Sequence, residues 1–193
     1  FCDTPYTSWH PEGFLVPWPY VLKDVSSAGV THVVLTGGEP LLQPDIVPLS
    51  KALRERGHIV TIETAGTVYR PVQADLMSLS PKLANSVPET QSVKWSARHR
   101  RDQHRPEVMQ RLMAESPYQL KFVIDTAADL EEVVRYVNTL GNIPGENVWL
   151  MPQGIANDIL STKAEWLAPA AEKLGFRFCP RKHIEMFGNV RGT

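Results

Sequence analysis

The sequence predicts an α/β fold, an open, partial parallel β/α barrel of about six strands. Three observations lead there. Six short aliphatic or β-branched runs recur along the 193 residues. Segments with helical apolar spacing stand between most of them, the signature of βαβ units and a parallel sheet. Polar and glycine-rich residues gather directly after the runs, at the strand ends where sites form in such sheets.

The elements follow in order. Trp18 to Ala28 reads as a helix. Val30 to Thr36 (VTHVVLT) reads as a buried strand leading into Gly37-Gly38. Asp45 to Arg56 carries Ile46, Val47, Leu49, Ala52 and Leu53 at helical spacing, with Asp45 as the predicted N-cap and Gly57 as the stop. His58 to Glu63 and Leu76 to Leu79 are the next strands, followed by Leu120 to Ile124. A helix over about Asp129 to Leu140 ends at Gly141. Val148 to Met151 and Phe176 to Cys179 complete the strands, separated by a helix over roughly Lys163 to Leu174. Connections of this kind are right-handed, and six units are too few for a closed eight-stranded barrel.

Composition narrows the function classes. Hydrophobic residues make up 42% of the chain, which excludes a disordered segment, and no apolar run approaches the ~18 residues of a membrane span. Twenty Lys and Arg balance twenty-one Asp and Glu, so no broad nucleic-acid-binding field is expected. Two cysteines, Cys2 and Cys179, make no disulfide scaffold; a cytoplasmic location and no membrane partner are the expectations. The length fits a single domain spanning 1–193.

The strand ends carry the chemistry. Strand one runs into Thr36-Gly37-Gly38-Glu39-Pro40, strand two into Glu63-Thr64-Ala65-Gly66-Thr67, strand three into Ser80-Pro81-Lys82. The fifth ends in Met151-Pro152-Gln153-Gly154 and the sixth runs into Cys179-Pro180-Arg181-Lys182-His183. A Gly-Gly loop lets backbone approach a ligand closely, and a glutamate directly after it is suited to an ammonium group. Alone, paired glycines punctuate turns and Ser80-Pro81 terminates a strand; together they line one rim. Phe1-Cys2-Asp3-Thr4 adds a thiol beside an acid and a hydroxyl.

With Phe1 to Thr4, Thr36 to Gln43 (TGGEPLLQ), Glu63 to Thr67 (ETAGT), Ser80 to Leu83 (SPKL), Phe178 to His183 (FCPRKH) and Arg191-Gly192, the chain resembles the radical S-adenosylmethionine superfamily. Within it, the chain is similar to the 7-carboxy-7-deazaguanine synthase (QueE) family of queuosine and 7-deazapurine biosynthesis. The resemblance implies a carbon–nitrogen lyase. Its substrate would be 6-carboxy-5,6,7,8-tetrahydropterin, contracted to 7-carboxy-7-deazaguanine with loss of ammonia. It implies a [4Fe–4S] cluster with Cys2 as a ligand, S-adenosylmethionine on the open iron, and Mg2+ on Thr4. Phe1, Asp3, Gly37, Gly38, Glu39, Ser80, Pro81, Lys82 and Gln153 match cofactor contacts; Thr36 and His183 match substrate contacts. A homodimer and a reducing partner such as flavodoxin are implied as well.

The family pattern has three cysteines in one motif, and only the last, Cys2, stands in this sequence. Cys179 reads as a buried small residue rather than a replacement. The chain opens at Phe1, so the expectation is a sequence truncated within the cluster motif and, as it stands, inactive. The alternatives are another radical enzyme, such as a glycyl-radical activase sharing the Gly-Gly-Glu-Pro loop, and a non-catalytic nucleotide-binding relative. The basic stretch Arg98-His99-Arg100-Arg101 with His104-Arg105 reads as a solvated loop or helix start, or as a face for an anionic partner or a redox protein such as flavodoxin. The five tryptophans read as packing residues, and no second ligand supports a metal role for His10.

Overall fold

The computed structural model describes residues 5–7, 12–86 and 103–190. Six strands in parallel pairings have helices between most of them, the second and third following one another directly, which is the α/β class expected. The chain divides into two compact units. One holds the described residues up to Leu79 together with Glu107–Tyr118; the other holds those from Ser80 to Pro106 and from Gln119 on.

In the first unit, β1 (His32–Leu35) pairs with β2 (Ile59–Thr64), and β2 with β3 (Leu76–Leu79). Register sets Val33 beside Val60 and Glu63 beside Ser78. Val60, Ile62, Met77 and Leu79 are essentially without solvent contact, and burial alternates along β2 as a pleated strand requires. β1 departs from the buried strand predicted for Val30 to Thr36. Among the described residues it pairs on one side only, so Val34 remains 54% exposed while Val33 is buried.

Helix α1 (Trp18–Ser27) precedes β1 and carries Pro19 in its first turn, where a fixed φ is well placed. Helix α2 (Ile46–Glu55) buries Ile46, Leu49, Ser50 and Leu53, one apolar stripe interrupted by a serine. That hydroxyl donates to Val47 O at 3.0 Å and accepts from Gln73 N at 3.2 Å, so its burial leaves nothing unpaired. Asp45 stands at the N-cap as predicted, but its side chain makes no capping bond. The preceding chain already turns, with Ile46 N donating to Gln43 O and Val47 N to Pro44 O, so the first amides are satisfied by backbone. After Gly57 the helix closes with Gly57 N on Arg54 O and His58 N on Leu53 O. Helix α3 (Pro106–Glu115), absent from the sequence reading, buries Met109 and Leu112.

In the second unit, β4 (Tyr118–Ile124) pairs with β5 (Val148–Pro152), and β5 with β6 (Arg177–Phe178). Leu120, Phe122, Ile124, Val148 and Leu150 are fully buried; each such side chain contributes about 1.5–3 kcal/mol of burial free energy. Helix α4 (Ala127–Leu140) covers them with Val133, Tyr136, Val137 and Leu140, and Phe122 meets Tyr136 edge to face at 5.8 Å. It starts two residues before the predicted Asp129 because Thr126 and Asp129 form a reciprocal capping box. Helix α5 (Asn157–Lys173) also starts earlier than predicted and packs on β5 and β6 through Leu160, Leu167 and Ala171.

β6 is shorter than the predicted Phe176 to Cys179. Phe176 N is engaged by Ala171 O at the end of α5, and after Cys179 N donates to Leu150 O, Pro180 has no N–H to continue the ladder. Cys179 is half-buried rather than fully buried, its thiol donating to Pro180 O at 3.7 Å. A short helix, α6 (Lys182–Phe187), follows, for which the sequence reading gave no element. Among the described residues no helix is long and apolar enough to cross a membrane.

Candidate active site

The first unit contributes the ends of β1 and β2. Thr36, Gly37, Gly38 and Glu39 leave β1 together, as the sequence predicts. Gly37 has φ +151°, a conformation side chains rarely adopt, and no heavy atom lies within 4 Å of where its Cβ would stand. The loop is open on that side, and glycine is there for its backbone. Glu39 then turns back across the sheet. Its Oε1 accepts from Leu41 N at 3.1 Å and from Thr64 Oγ1 at 2.7 Å; its Oε2 accepts from Ala65 N at 2.9 Å. The carboxylate therefore ties the end of β1 to the end of β2. It offers roughly four lone-pair positions, so a further donor can still be met.

Thr64, 3% exposed, relays this tie: its Oγ1 also accepts from Gly66 N at 3.0 Å. Gly66 has φ +71° and sits against Met109 of α3, where a Cβ would run into the thioether sulfur. Thr36 Oγ1 donates to Glu63 Oε2 at 3.2 Å, and Arg70 Nε donates to Leu41 O at 3.1 Å. Sequence reasoning assigned Thr36 and Glu39 but not Thr64 or Gly66, although both lie in the quoted Glu63 to Thr67 run. The signal available was a hydroxyl and a glycine at the end of the neighbouring strand.

The second unit holds Ser80, Pro81, Lys82, Gln153 and His183. Pro81 is buried, with Ser80 and Lys82 half-buried beside it. The segment just after is pinned where Ala84 N donates to Glu132 Oε1 at 3.0 Å and Asn85 Nδ2 to Val123 O at 3.3 Å. Gln153 leaves β5 with its backbone N donating to Ile124 O at 2.8 Å. Lys163, from α5, donates to Gln153 O at 2.8 Å, to Gln153 Oε1 at 3.1 Å, and to Asp125 Oδ1 at the end of β4. Buried Arg181 donates to Gly154 O at 3.0 Å.

His183 lies on the first turn of α6. Partial burial holds its pKa below the usual imidazole value, helped by the positive charges of Arg181 and Lys121. A neutral ring offers one donor and one acceptor nitrogen. From sequence Asp125 reads only as the end of strand four and Arg181 only within the tail motif, and Lys121 and Lys163 have no site role, since each matters through a partner brought near by the fold. Phe1, Cys2, Asp3 and Thr4 lie outside the described residues, as do His10, Arg98 to Arg101 and the Arg191-Gly192 pair. Among the described residues no group of three His, Cys, Asp or Glu side chains could hold a metal ion. His104 stacks on Tyr136 at 5.1 Å.

Comparison with known proteins agrees with the resemblance in the motifs. The family model for the Radical SAM superfamily matches residues 1–87. The 7-carboxy-7-deazaguanine synthase of Rhodopirellula baltica is 44% identical over 195 residues, covering 100% of this chain and 76% of that protein. The synthase of Halobacterium salinarum is 35% identical, covering 100% of this chain and 79% of its own. Among solved structures, QueE from Escherichia coli superposes with a TM-score of 0.59 at 21% identity, over 85% of this chain and 63% of that one. Streptococcus suis SuiB bound to its precursor peptide SuiA gives a TM-score of 0.59 at 14% identity, over 94% and 46%. These two show the shared fold. The alternative of a glycyl-radical activase is set aside by the near-complete match to the synthases. The chain belongs to the 7-carboxy-7-deazaguanine synthase family of the radical S-adenosylmethionine superfamily.

Proposed function

We propose that this protein is a radical S-adenosylmethionine lyase of 7-deazapurine biosynthesis, converting 6-carboxy-5,6,7,8-tetrahydropterin to 7-carboxy-7-deazaguanine with release of ammonia. The observation that carries the reading is the Glu39 tie between the ends of β1 and β2, in a chain matched along its whole length by synthases of that name. Superfamily membership implies a [4Fe–4S] cluster and S-adenosylmethionine. Together these supply, when bound, one-electron chemistry that removes a hydrogen atom from the substrate.

For S-adenosylmethionine the donor set in the described residues fits. Gly37 leaves open space beside the loop, and Glu39 retains acceptor capacity for an ammonium group. Gln153 and the Ser80-Pro81-Lys82 segment, in the other unit, are assigned to the cofactor from the motif alone. For the cluster and Mg2+ the residues in question, Cys2 and Thr4, lie outside the described range, and their roles rest on the motif. Thr36 and His183 are assigned to the substrate. A neutral His183 exchanges hydrogen bonds with a pterin ring without competing for its proton. We further assign a single radical S-adenosylmethionine domain, a homodimer, a cytoplasmic location and a flavodoxin-like electron donor.

The test is anaerobic reconstitution of the full-length protein with iron and sulfide. Incubation with a reductant, S-adenosylmethionine, Mg2+ and the carboxy-tetrahydropterin is followed by mass spectrometry. Formation of 7-carboxy-7-deazaguanine, reduced when Mg2+ is withheld, supports the assignment. A loaded cluster that yields neither this product nor 5′-deoxyadenosine refutes it and favours a non-catalytic relative.

A further inference from the structure

Lys163 uses its ammonium in an unusual way for a lysine near a site. Its side chain is 15% exposed, and it meets three acceptors on two strand ends: Asp125 Oδ1 after β4, and both Gln153 O and Gln153 Oε1 after β5. An ammonium carries three N–H donors and no acceptor. All three are therefore spent, and the chemistry leaves no ambiguity in the Gln153 amide: the oxygen must face Lys163, because an NH2 there would set donor against donor. The group of Gln153 turned from Lys163 is then its Nε2, with two N–H donors. Of this cluster only Lys163 reaches a recess of about 250 Å3, which it lines with Asp158, Ile159 and Thr162.

We propose that Lys163 is a positioning residue that fixes the Gln153 amide with its NH2 toward bound S-adenosylmethionine, so that Gln153 recognises an acceptor atom of that cofactor. The inference rests on the assignment of Gln153 as a cofactor contact. It adds the direction of the hydrogen bond and the residue that sets it. Without the ammonium, the amide rotates between two orientations, only one of which presents the donors. Arginine cannot substitute, since its planar fork does not reach three acceptors arranged around a single nitrogen.

The experiment measures S-adenosylhomocysteine affinity by calorimetry on the full-length, cluster-loaded protein, alongside the KM for S-adenosylmethionine, kcat and the thermal midpoint. Four single variants, Gln153→Ala, Gln153→Glu, Lys163→Met and Lys163→Arg, are compared together with the Gln153→Ala/Lys163→Met double variant. Losing one well-placed hydrogen bond weakens affinity about tenfold. Gln153→Ala and Lys163→Met should each do so, raising KM with kcat little changed, and the double variant should be no worse than either. Gln153→Glu keeps an acceptor for Lys163 but loses the Nε2 donors, so it should bind weakly while melting no lower than wild type. Lys163→Arg should fail to rescue. Unchanged affinity in Gln153→Ala overturns the contact assignment and this proposal with it. Weak binding in Gln153→Ala with normal binding in Lys163→Met overturns the positioning role alone. So does a Lys163→Met protein whose losses follow a lowered thermal midpoint.

Discussion

Replacing Glu39 with glutamine isolates what its charge does for the fold. The change is nearly isosteric, yet the three donors converging on the carboxylate cannot all be met. With the amide oxygen toward Leu41 N and Thr64 Oγ1, the amide NH2 faces Ala65 N; turned over, it faces Leu41 N. Either way one backbone N–H meets another donor. An unmet donor costs about 1–3 kcal/mol when buried, and bonds to a charged acceptor are stronger than those to a neutral one. Glu39 is half-buried, so water recovers part of the loss, and the net destabilisation should be about 1–2 kcal/mol. At a urea m-value of about 2 kcal/mol per M, the midpoint falls by roughly 0.5–1 M with m unchanged. Urea unfolding followed by tryptophan fluorescence reads this directly. A Glu39→Gln midpoint within about 0.2 M of wild type would refute the argument that the carboxylate joins the strand ends.

Three other outcomes follow from the same reasoning. Gly66→Ala combines a positive φ with a Cβ driven into Met109, and should lower stability by about 2 kcal/mol or more, read as a shifted urea midpoint. Asp129→Ala removes acceptors for Asp125 N and Thr126 N at the start of α4; a loss of about 1–2 kcal/mol, measured by thermal unfolding, is expected. His183 has its pKa lowered first by burial and then by Arg181 and Lys121, so below the ordinary imidazole value the unfolded chain binds more protons than the native one. Its contribution is intact above that value and is lost as pH falls from there through the lowered native value. Lys121→Met should raise the His183 titration midpoint in an NMR titration, and an unmoved midpoint counts against the assigned cause.

Local sequence carried the strands well because their aliphatic or β-branched runs are bounded by glycine, proline or polar residues. Leu76–Leu79 appears with the bounds read from sequence, and β2 and β5 differ by a residue at their ends. Elements set by bonding partners were harder to see. β6 is two residues long because a helix end takes Phe176 and a proline stops the ladder, neither of which hydrophobicity records. α6 is six residues, too short for a period to show. α3 had a signal, with Pro106 at its start and Met109 and Leu112 three apart, but it follows a strongly basic stretch that drew the reading toward a solvated segment. The site divides in the same manner. Thr36, Gly37 and Glu39 were legible as one loop, whereas Glu39 to Thr64 spans 25 positions and Asp125 to Lys163 spans 38. Such pairs come into view only once parallel strand ends are set side by side.

The Met109 thioether gives the strand-end network a distinctive way to age. In the native state the sulfur is wholly enclosed and out of reach of peroxide or other oxidants. Exposure comes only through a local opening of α3. A sulfoxide oxygen added during such an opening finds no room on return, because the sulfur lies against Gly66, whose amide is held by Thr64, which in turn holds Glu39. Each excursion under oxidising conditions then acts as a ratchet, turning a reversible fluctuation into a lasting fault. The loop most in need of a fixed shape would age at the pace of the helix behind it.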